Sequence, residues 1–383
     1  MNTIRVGVVG TGFSAQAHIE ALRRIPLVEV WGILGSSPEK SRAAARKHNI
    51  PMAYDSLDEL LADSDIRAIH NCTPNALHYE VSRRAILAGK HLLSEKPLAV
   101  NSQQSAELLK LATEREVTCG VCFNYRHYPM VSQVKEMLHT QEQGTVNLVY
   151  GGYLQDWLLL ETDYSWRLDS EKNGPSRAIA DIGSHWCDTI QYVLQRSITE
   201  VMADLKIVHP VRLKPAEGPQ TFAALEEDAE REEVAIETED YGSVLIHMEG
   251  GIQGVFTVSQ VAAGRKNNLH FEISTDSASF AWDQESPNQL WVGKREQSNE
   301  QLLRDPDLLL KKSAALAHYP GGHQEGWPDG LKNLCNDFYQ KVLNQKYRSS
   351  FATLADGHRI MLLIEAILES ARERRWVSVP KFE

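Results

Sequence analysis

Residues 4–25, IRVGVVGTGFSAQAHIEALRRI, decide the fold. The first six form a β-rich run, and Ala17, Ala21, Leu22 and Ile25 follow a helical period, so the chain reads strand, glycine turn, helix. In that context the pattern G-x-G-x-x-A has a physical meaning. Gly10 permits the tight turn, Gly12 lets backbone approach a pyrophosphate, and the small Ala15 lets the helix pack closely on the strand, with its free N–H groups aimed at phosphate. Phe13 and Ser14 lie in the same turn and are candidate cofactor contacts.

Working outward, 28–34, 66–71, 91–94 and 118–124 read as further strands, and 38–48, 76–88 and 102–114 as helices. This alternation predicts an α/β fold with a doubly wound parallel sheet and right-handed crossovers, the ligand lying at the carboxyl ends of the strands. Residues 91–100, HLLSEKPLAV, put Glu95 and Lys96 at such an end. A charge there is costly to bury unless it is paired or used, so Lys96 is expected in the ligand crevice with Glu95 as its counter-charge. After the second strand, "LGSSPEK" offers Ser36, Ser37 and Lys40 but no acid, so both NAD and NADP are admitted.

The chain has 383 residues, enough for two cores, and the pattern changes after Arg126: a dinucleotide-binding domain over 1–126, then an α+β domain over 127–383 for substrate binding and oligomerisation. A formal charge of −11 disfavours nucleic acid as a partner. No stretch reads as a membrane span, and the cytoplasm is the expected location. Five cysteines fit free thiols; in "CGVC" Cys119 and Cys122 would point to opposite faces of a strand, which disfavours a redox or metal pair.

In the second part, runs over 145–154, 242–249, 252–259, 268–275, 278–283 and 289–292 alternate as an antiparallel meander, a large open sheet whose far face needs cover. The acidic stretch 210–233 lacks a period and reads as an excursion from the core. In "AIADIGSHWCDTIQYVL", Asp181, His185 and Asp188 fall at i, i+4 and i+7, one face of a helix. A carboxylate one turn from an imidazole suits a general base, with an ordinary hydrogen bond or a zinc half-site as alternatives; no third ligand appears, and no metal is expected. Tyr153, Gln155, Asp156 and Trp157, with His323, Gln324, Glu325 and Trp327 of "GGHQEGW", mix flat apolar faces with hydroxyl-binding groups, as a sugar site requires. Trp166 and Arg167 join them, on the cofactor side.

"GTGFSAQAH", "CTPNALHYE", "AGKHLLSEKPLA" and "FNYRHYP" resemble, in order and spacing, the successive motifs of the Gfo/Idh/MocA oxidoreductases. The resemblance implies a lysine, here Lys96, beside the nicotinamide and the reacting hydroxyl. It implies that Thr73, Pro74, Asn75 and His78 line the cofactor, that Asn124 and Arg126 lie near the nicotinamide side, and that Asp181 and His185 are the second catalytic signature. It also implies a second subunit on the open sheet, in a homodimer or homotetramer. "GGYLQDW", "SWR", "DIGSHWCD" and "HFEISTDSASFAW" are similar to family members that oxidise a ring hydroxyl of pyranosides, the levoglucosan and glycoside 3-dehydrogenases. The expected function is NAD(P)-dependent hydride transfer between a ring hydroxyl of a sugar or glycoside and the coenzyme, the C3 hydroxyl being one candidate. Lys96 and the Asp181–His185 couple would converge on one alcohol. An inositol, polyol or aldose substrate, keto-sugar reduction, and a non-catalytic dinucleotide-binding regulator are the alternatives.

Overall fold

The computed structural model describes residues 3–140, 144–215 and 230–382. Strand and helix alternate as β1 (Ile4–Val9), α1 (Phe13–Arg23), β2 (Val28–Leu34), α2 (Pro38–His48), β3 (Met52–Ala53), α3 (Leu57–Ala62), β4 (Ile66–Asn71), α4 (Asn75–Leu87), β5 (His91–Ser94), α5 (Ser102–Arg115) and β6 (Cys119–Val121). The six strands lie in the order β6-β5-β4-β1-β2-β3, all parallel, with Ala352–Thr353 added antiparallel beside β6. Chain order reverses between β1 and β4, so the loops after these two strands flank the switch point. Ile4, Val6 and Val8 are fully buried, as expected for a central strand covered on both faces.

The first compact unit is Met1–His127 together with Trp327–Met361. Thus a segment assigned to the second domain from sequence returns to the nucleotide sheet. The reason is apolar: Leu331, Leu334, Cys335 and Phe338 of the helix Trp327–Leu343 share one core with Ile19 and Leu22 of α1. The fifth long strand read from sequence ends early, at Val121, and the chain passes into a 3-10 turn over Asn124–His127.

The second unit, Tyr128–Gly326 with Leu362–Glu383, is built on nine strands. They include β7 (Val146–Leu154), β8 (Ile198–Lys206), β11 (Tyr241–Met248), β12 (Gln253–Ser259), β13 (Asn268–Thr275), β14 (Ala278–Asp283), β15 (Gln289–Lys294) and β16 (Glu300–Leu303); β9 (Val211–Pro215) and β10 (Arg231–Ala235) form a separate antiparallel pair. The large sheet is not the simple meander expected: β7 inserts between β12 and β13, parallel to the first and antiparallel to the second. Gly151 permits this insertion, since a side chain there would strike the His270 carbonyl and the Trp186 indole. Trp186 belongs to the helix Ser184–Leu194, stacks on Phe256 at 4.6 Å and donates to the His270 carbonyl at 3.0 Å, so this helix covers one sheet face.

The opposite face carries one row in strict register. Met202 pairs with Leu245, Leu245 with Val255, Val255 with Tyr150, Tyr150 with Glu272, Glu272 with Ala281, Ala281 with Trp291 and Trp291 with Gln301. Met202, Leu245, Val255, Tyr150 and Trp291 are all exposed. Eight strands at their usual spacing make this row roughly 34 Å long. Among the described residues no helix is long and apolar enough to cross a membrane.

The stretch 210–233, expected as an excursion, is tied to the core at both described ends; residues 216–229 lie outside the described residues. Arg212 of β9 is fully buried, donates to the carbonyls of Leu158 and Leu160 at 2.9 and 2.7 Å, and pairs with Asp240 at 2.7 Å. Asp240 also pairs with the fully buried Arg177 at 2.5 Å. Burial opposes ionisation of Asp240, but the two guanidinium groups and backbone donors outweigh it and hold its carboxyl below the usual range. Removing that charge leaves two buried cations uncompensated. Asp240→Asn should therefore destabilise the protein by about 3–5 kcal/mol, measured by urea unfolding.

Candidate active site

Gly10 sits at φ 119°, in the region open to glycine, and a Cβ there would strike the Cys72 carbonyl. The turns after β1 and β4 are thereby pressed together at the switch point. Gly12 begins α1 with no side-chain cap, and a Cβ built there meets nothing within 4 Å. An uncapped helix N-terminus under open space is what a pyrophosphate requires, so the turn fits a dinucleotide. Beside it Phe13 is 58% exposed, its ring 5.7 Å from Trp327. At the next strand end Ser37 caps α2, and Lys40 Nζ donates to Ser36 Oγ at 3.1 Å. At the third, Thr73 donates to the Asn71 side chain at 2.7 Å, and Asn75 opens α4.

Glu95 and the half-buried Lys96 follow β5, and the Lys96–Pro97 peptide is cis. The Glu95 side chain is 15% exposed, with Oε1 2.9 Å from His18 Nε2 and Oε2 accepting the Lys96 backbone N–H at 3.3 Å. Burial alone would raise its pKa; the His18 hydrogen bond first, with the Lys96 charge beside it, prevails and holds it at about 2. His18 Nδ1 meets His70 Nδ1 at 2.7 Å, and His70 Nε2 meets the Tyr339 hydroxyl at 2.6 Å.

In the second unit Asp181 does not lie on one continuous α-helix with His185, as its spacing suggested. Ile179–Gly183 is a π-helical turn, and the α-helix starts at Ser184. Such turns recur at functional sites because they redirect side chains without ending the helix. Asp181 Oδ2 accepts from Gln260 Nε2 at 3.0 Å, and Oδ1 lies 3.6 Å from Arg167 Nε. Gln260 has no choice of orientation. Its Oε1 accepts from Arg177 at 2.8 Å, so its amide N–H must face Asp181. His185 is buried, its ring 6.1 Å from that of Tyr153. Tyr153 and Gln155 both donate to Asn267, at 2.5 and 2.9 Å, and Trp157 donates to Gln155 at 2.8 Å. Asp181 with Gln260, and Tyr153, Gln155 and Trp157 with Asn267, thus form two hydrogen-bonded groups of this unit, with the His185 ring beside Tyr153.

Residues 4–123 match the family described as "Oxidoreductase family, NAD-binding Rossmann fold", and residues 131–281 match the "GFO/IDH/MocA C-terminal domain". The chain belongs to the Gfo/Idh/MocA oxidoreductases. It is 27% identical to levoglucosan dehydrogenase of Pseudarthrobacter phenanthrenivorans, covering 100% of this chain and 99% of that one. Glucose-6-phosphate 3-dehydrogenase of Bacillus subtilis is 25% identical over 51% of this chain and 55% of its own length. Among solved structures, levoglucosan dehydrogenase in complex with NADH and L-sorbose superposes with a TM-score of 0.88 at 26% identity, over 100% of both chains. The complex of that enzyme with NADH and levoglucosan gives 0.87 at 26% identity, over 99% of this chain and 100% of that one.

Within this Gfo/Idh/MocA chain several residues singled out from sequence have other neighbours than expected. Trp327, read from sequence with the sugar-type residues, packs beside Phe13 in the first unit. Glu325 is buried against Arg304 at 3.0 Å, Gln324 is bonded to Asn288, and the His323 carbonyl accepts from Arg304, which makes that loop a structural clasp. His78 is buried with its two ring nitrogens 2.8 Å from the Thr73 carbonyl and 2.7 Å from the Pro97 carbonyl, tying the two loops from behind. Arg126 is buried, 3.5 Å from Asp356, and Asn124 is buried beside it in the 3-10 turn. Asp156 pairs with Lys266 at 2.7 Å, and Trp166 lies under the Arg167 guanidinium at 4.6 Å.

Sequence reading missed His18, His70, Tyr339, Gln260 and Asn267. Only His18 carried a local signal: three residues after Ala15 and four before Leu22, it falls on the buried face of α1.

Because the Glu95 pKa is depressed on folding, its contribution to stability is present above 4.5 and is lost as pH falls toward about 2. The stability difference between wild type and Glu95→Gln should therefore shrink across that interval, as followed by urea midpoints against pH.

Proposed function

We propose that this chain oxidises a ring hydroxyl of a pyranose sugar or glycoside with a nicotinamide coenzyme, the C3 hydroxyl being the favoured position. The observation that carries this reading is the end-to-end similarity to levoglucosan dehydrogenase, together with a glycine turn, Lys96 and Asp181–His185 in this chain's own sequence. The turn of Gly10, Gly12, Phe13 and Ser14 binds the pyrophosphate, with Thr73, Pro74 and Asn75 at the adjoining strand end. Ser36, Ser37 and Lys40 face the adenosine ribose and admit NAD and NADP alike. When bound, the nicotinamide supplies the hydride acceptor.

The residues of the chain do the rest. Lys96 donates to the substrate oxygen and stabilises the charge that develops as its proton leaves. His185 accepts that proton. Asp181, itself oriented by Gln260, holds the imidazole for this transfer, and Tyr153, Gln155 and Trp157 meet the sugar ring. Purified protein given NAD+ or NADP+ in parallel, with levoglucosan, other pyranosides, inositols and aldoses, should reduce the coenzyme with a pyranoside, read by nicotinamide absorbance. Lys96→Ala should lower kcat by roughly 100- to 10,000-fold while leaving coenzyme affinity nearly unchanged. Near-normal turnover in that variant removes Lys96 from the mechanism. Reduction with an inositol alone redirects the reading to polyols.

We also propose that the exposed row from Met202 to Gln301 packs against a second copy of this chain. Five exposed apolar side chains in register on this sheet face form a surface against which a second copy of the same sheet can stack face to face. Leu245→Glu should convert the wild-type multimer to monomer by light scattering while retaining the fold; a wild-type monomer at micromolar concentration would sink this assignment.

A further inference from the structure

The first unit buries a set of titratable groups that the mechanism above does not use. His18, His70 and Tyr339 are fully buried, and with Glu95 they make an unbroken series: Tyr339 hydroxyl to His70 Nε2 at 2.6 Å, His70 Nδ1 to His18 Nδ1 at 2.7 Å, His18 Nε2 to Glu95 Oε1 at 2.9 Å. The groups also fall into two potential ligand triplets, His18–His70–Cys335 and His18–Glu95–Cys122. A metal is the wrong occupant. Two nitrogens on one tetrahedral zinc lie about 3.3 Å apart, whereas 2.7 Å is a hydrogen-bond separation. Burial also pushes the thiols of Cys122 and Cys335 up, with the Glu95 charge adding to it.

Counting protons fixes the direction of the series. Glu95 is ionised and can only accept, so His18 carries a proton on Nε2. If His18 also carried one on Nδ1, His70 would have to accept there and bear its own proton on Nε2, facing the Tyr339 oxygen. The Tyr339 hydroxyl hydrogen would then be stranded, because among the described residues His70 is its one hydrogen-bond partner. Stranding a buried donor is unfavourable. Burial moreover keeps the phenol protonated and disfavours a charged His70. One arrangement satisfies every atom: Tyr339 donates to His70, His70 to His18, and His18 to Glu95.

We propose that His18, His70 and Tyr339 are positioning residues whose one-way hydrogen-bond chain locks Glu95 in its ionised form, as a fixed counter-charge to Lys96 during the oxidation proposed above. The chain ends in a fully buried phenol, so it fixes a charge and is not a proton exit. Within its unit Glu95 is faced by His18 from α1, His78 from α4, Lys96 on its own loop, Cys72 after β4, Cys122 after β6 and Cys335 from the helix Trp327–Leu343. The His18 imidazole, at 2.9 Å, and the Cys122 thiol both hydrogen-bond to the carboxylate through their side chains.

The inference rests on the dehydrogenase reading for its consequence but not for its geometry, and the experiment separates the two. In full-length protein carrying 15N-histidine, NMR should show His18 protonated on Nε2 and His70 on Nδ1 at neutral pH. Protonation of His18 on Nδ1, or on both nitrogens, overturns the proposal whatever the enzyme's activity. In 13C-glutamate protein, His18→Leu should raise the pH at which the Glu95 carboxyl titrates by about one unit or more, and His18→Gln, whose amide reproduces the lost donor, should restore it. An unmoved carboxyl titration in a folded His18→Leu variant refutes the lock. If His18→Leu does not fold, the wild-type ring protonation and the His18→Gln titration decide. A shifted titration in a protein that reduces no coenzyme refutes the function and leaves the lock standing.

Discussion

An ionised carboxylate at the end of a buried strand must be surrounded by donors, and much of the polar interior of the first unit serves that end. Glu95 leaves β5 at the switch-point rim, where burial opposes its charge, and it stays charged because His18 reaches it from α1 and the Lys96 backbone from its own loop. His18 can do so only because His70 and Tyr339 occupy its other nitrogen in turn. The helix Trp327–Leu343, which carries Tyr339, therefore belongs with the nucleotide sheet for a polar reason as well as an apolar one.

The second unit solves a similar problem with cations. Arg177 and Arg212 are fully buried around Asp240, and the outermost group of that network, the Gln260 amide, presents its N–H to Asp181. A buried ion cluster of this kind contributes little net stability compared with an apolar core. Its value here is orientation, since each member leaves the next a single hydrogen-bonding role. In both units a carboxylate singled out for chemistry is thus aimed by groups remote in sequence.

The Rossmann part was legible because its signals are local. The strand–turn–helix of residues 4–25, the alternation that follows, and the charged pair after β5 are each read from short runs of consecutive residues. Errors came where a segment's partner is distant. The meander failed at β7, which inserts between two strands read as neighbours. The spacing of Asp181 and His185 was read with an α-helical period, but a π-helical turn intervenes, and no local composition marks such a turn.

Period, glycine placement and charge along the chain by themselves determined the parallel nucleotide fold, because those features act over one or two turns of backbone; the roles expected of Lys96, Asp181 and His185 came with the family resemblance. Only the tertiary structure decided what each charged group faces. His18 with Glu95, Gln260 with Asp181 and Arg212 with Asp240 are 77, 79 and 28 residues apart, and the desolvation that makes those contacts necessary exists only once the chain has closed around them.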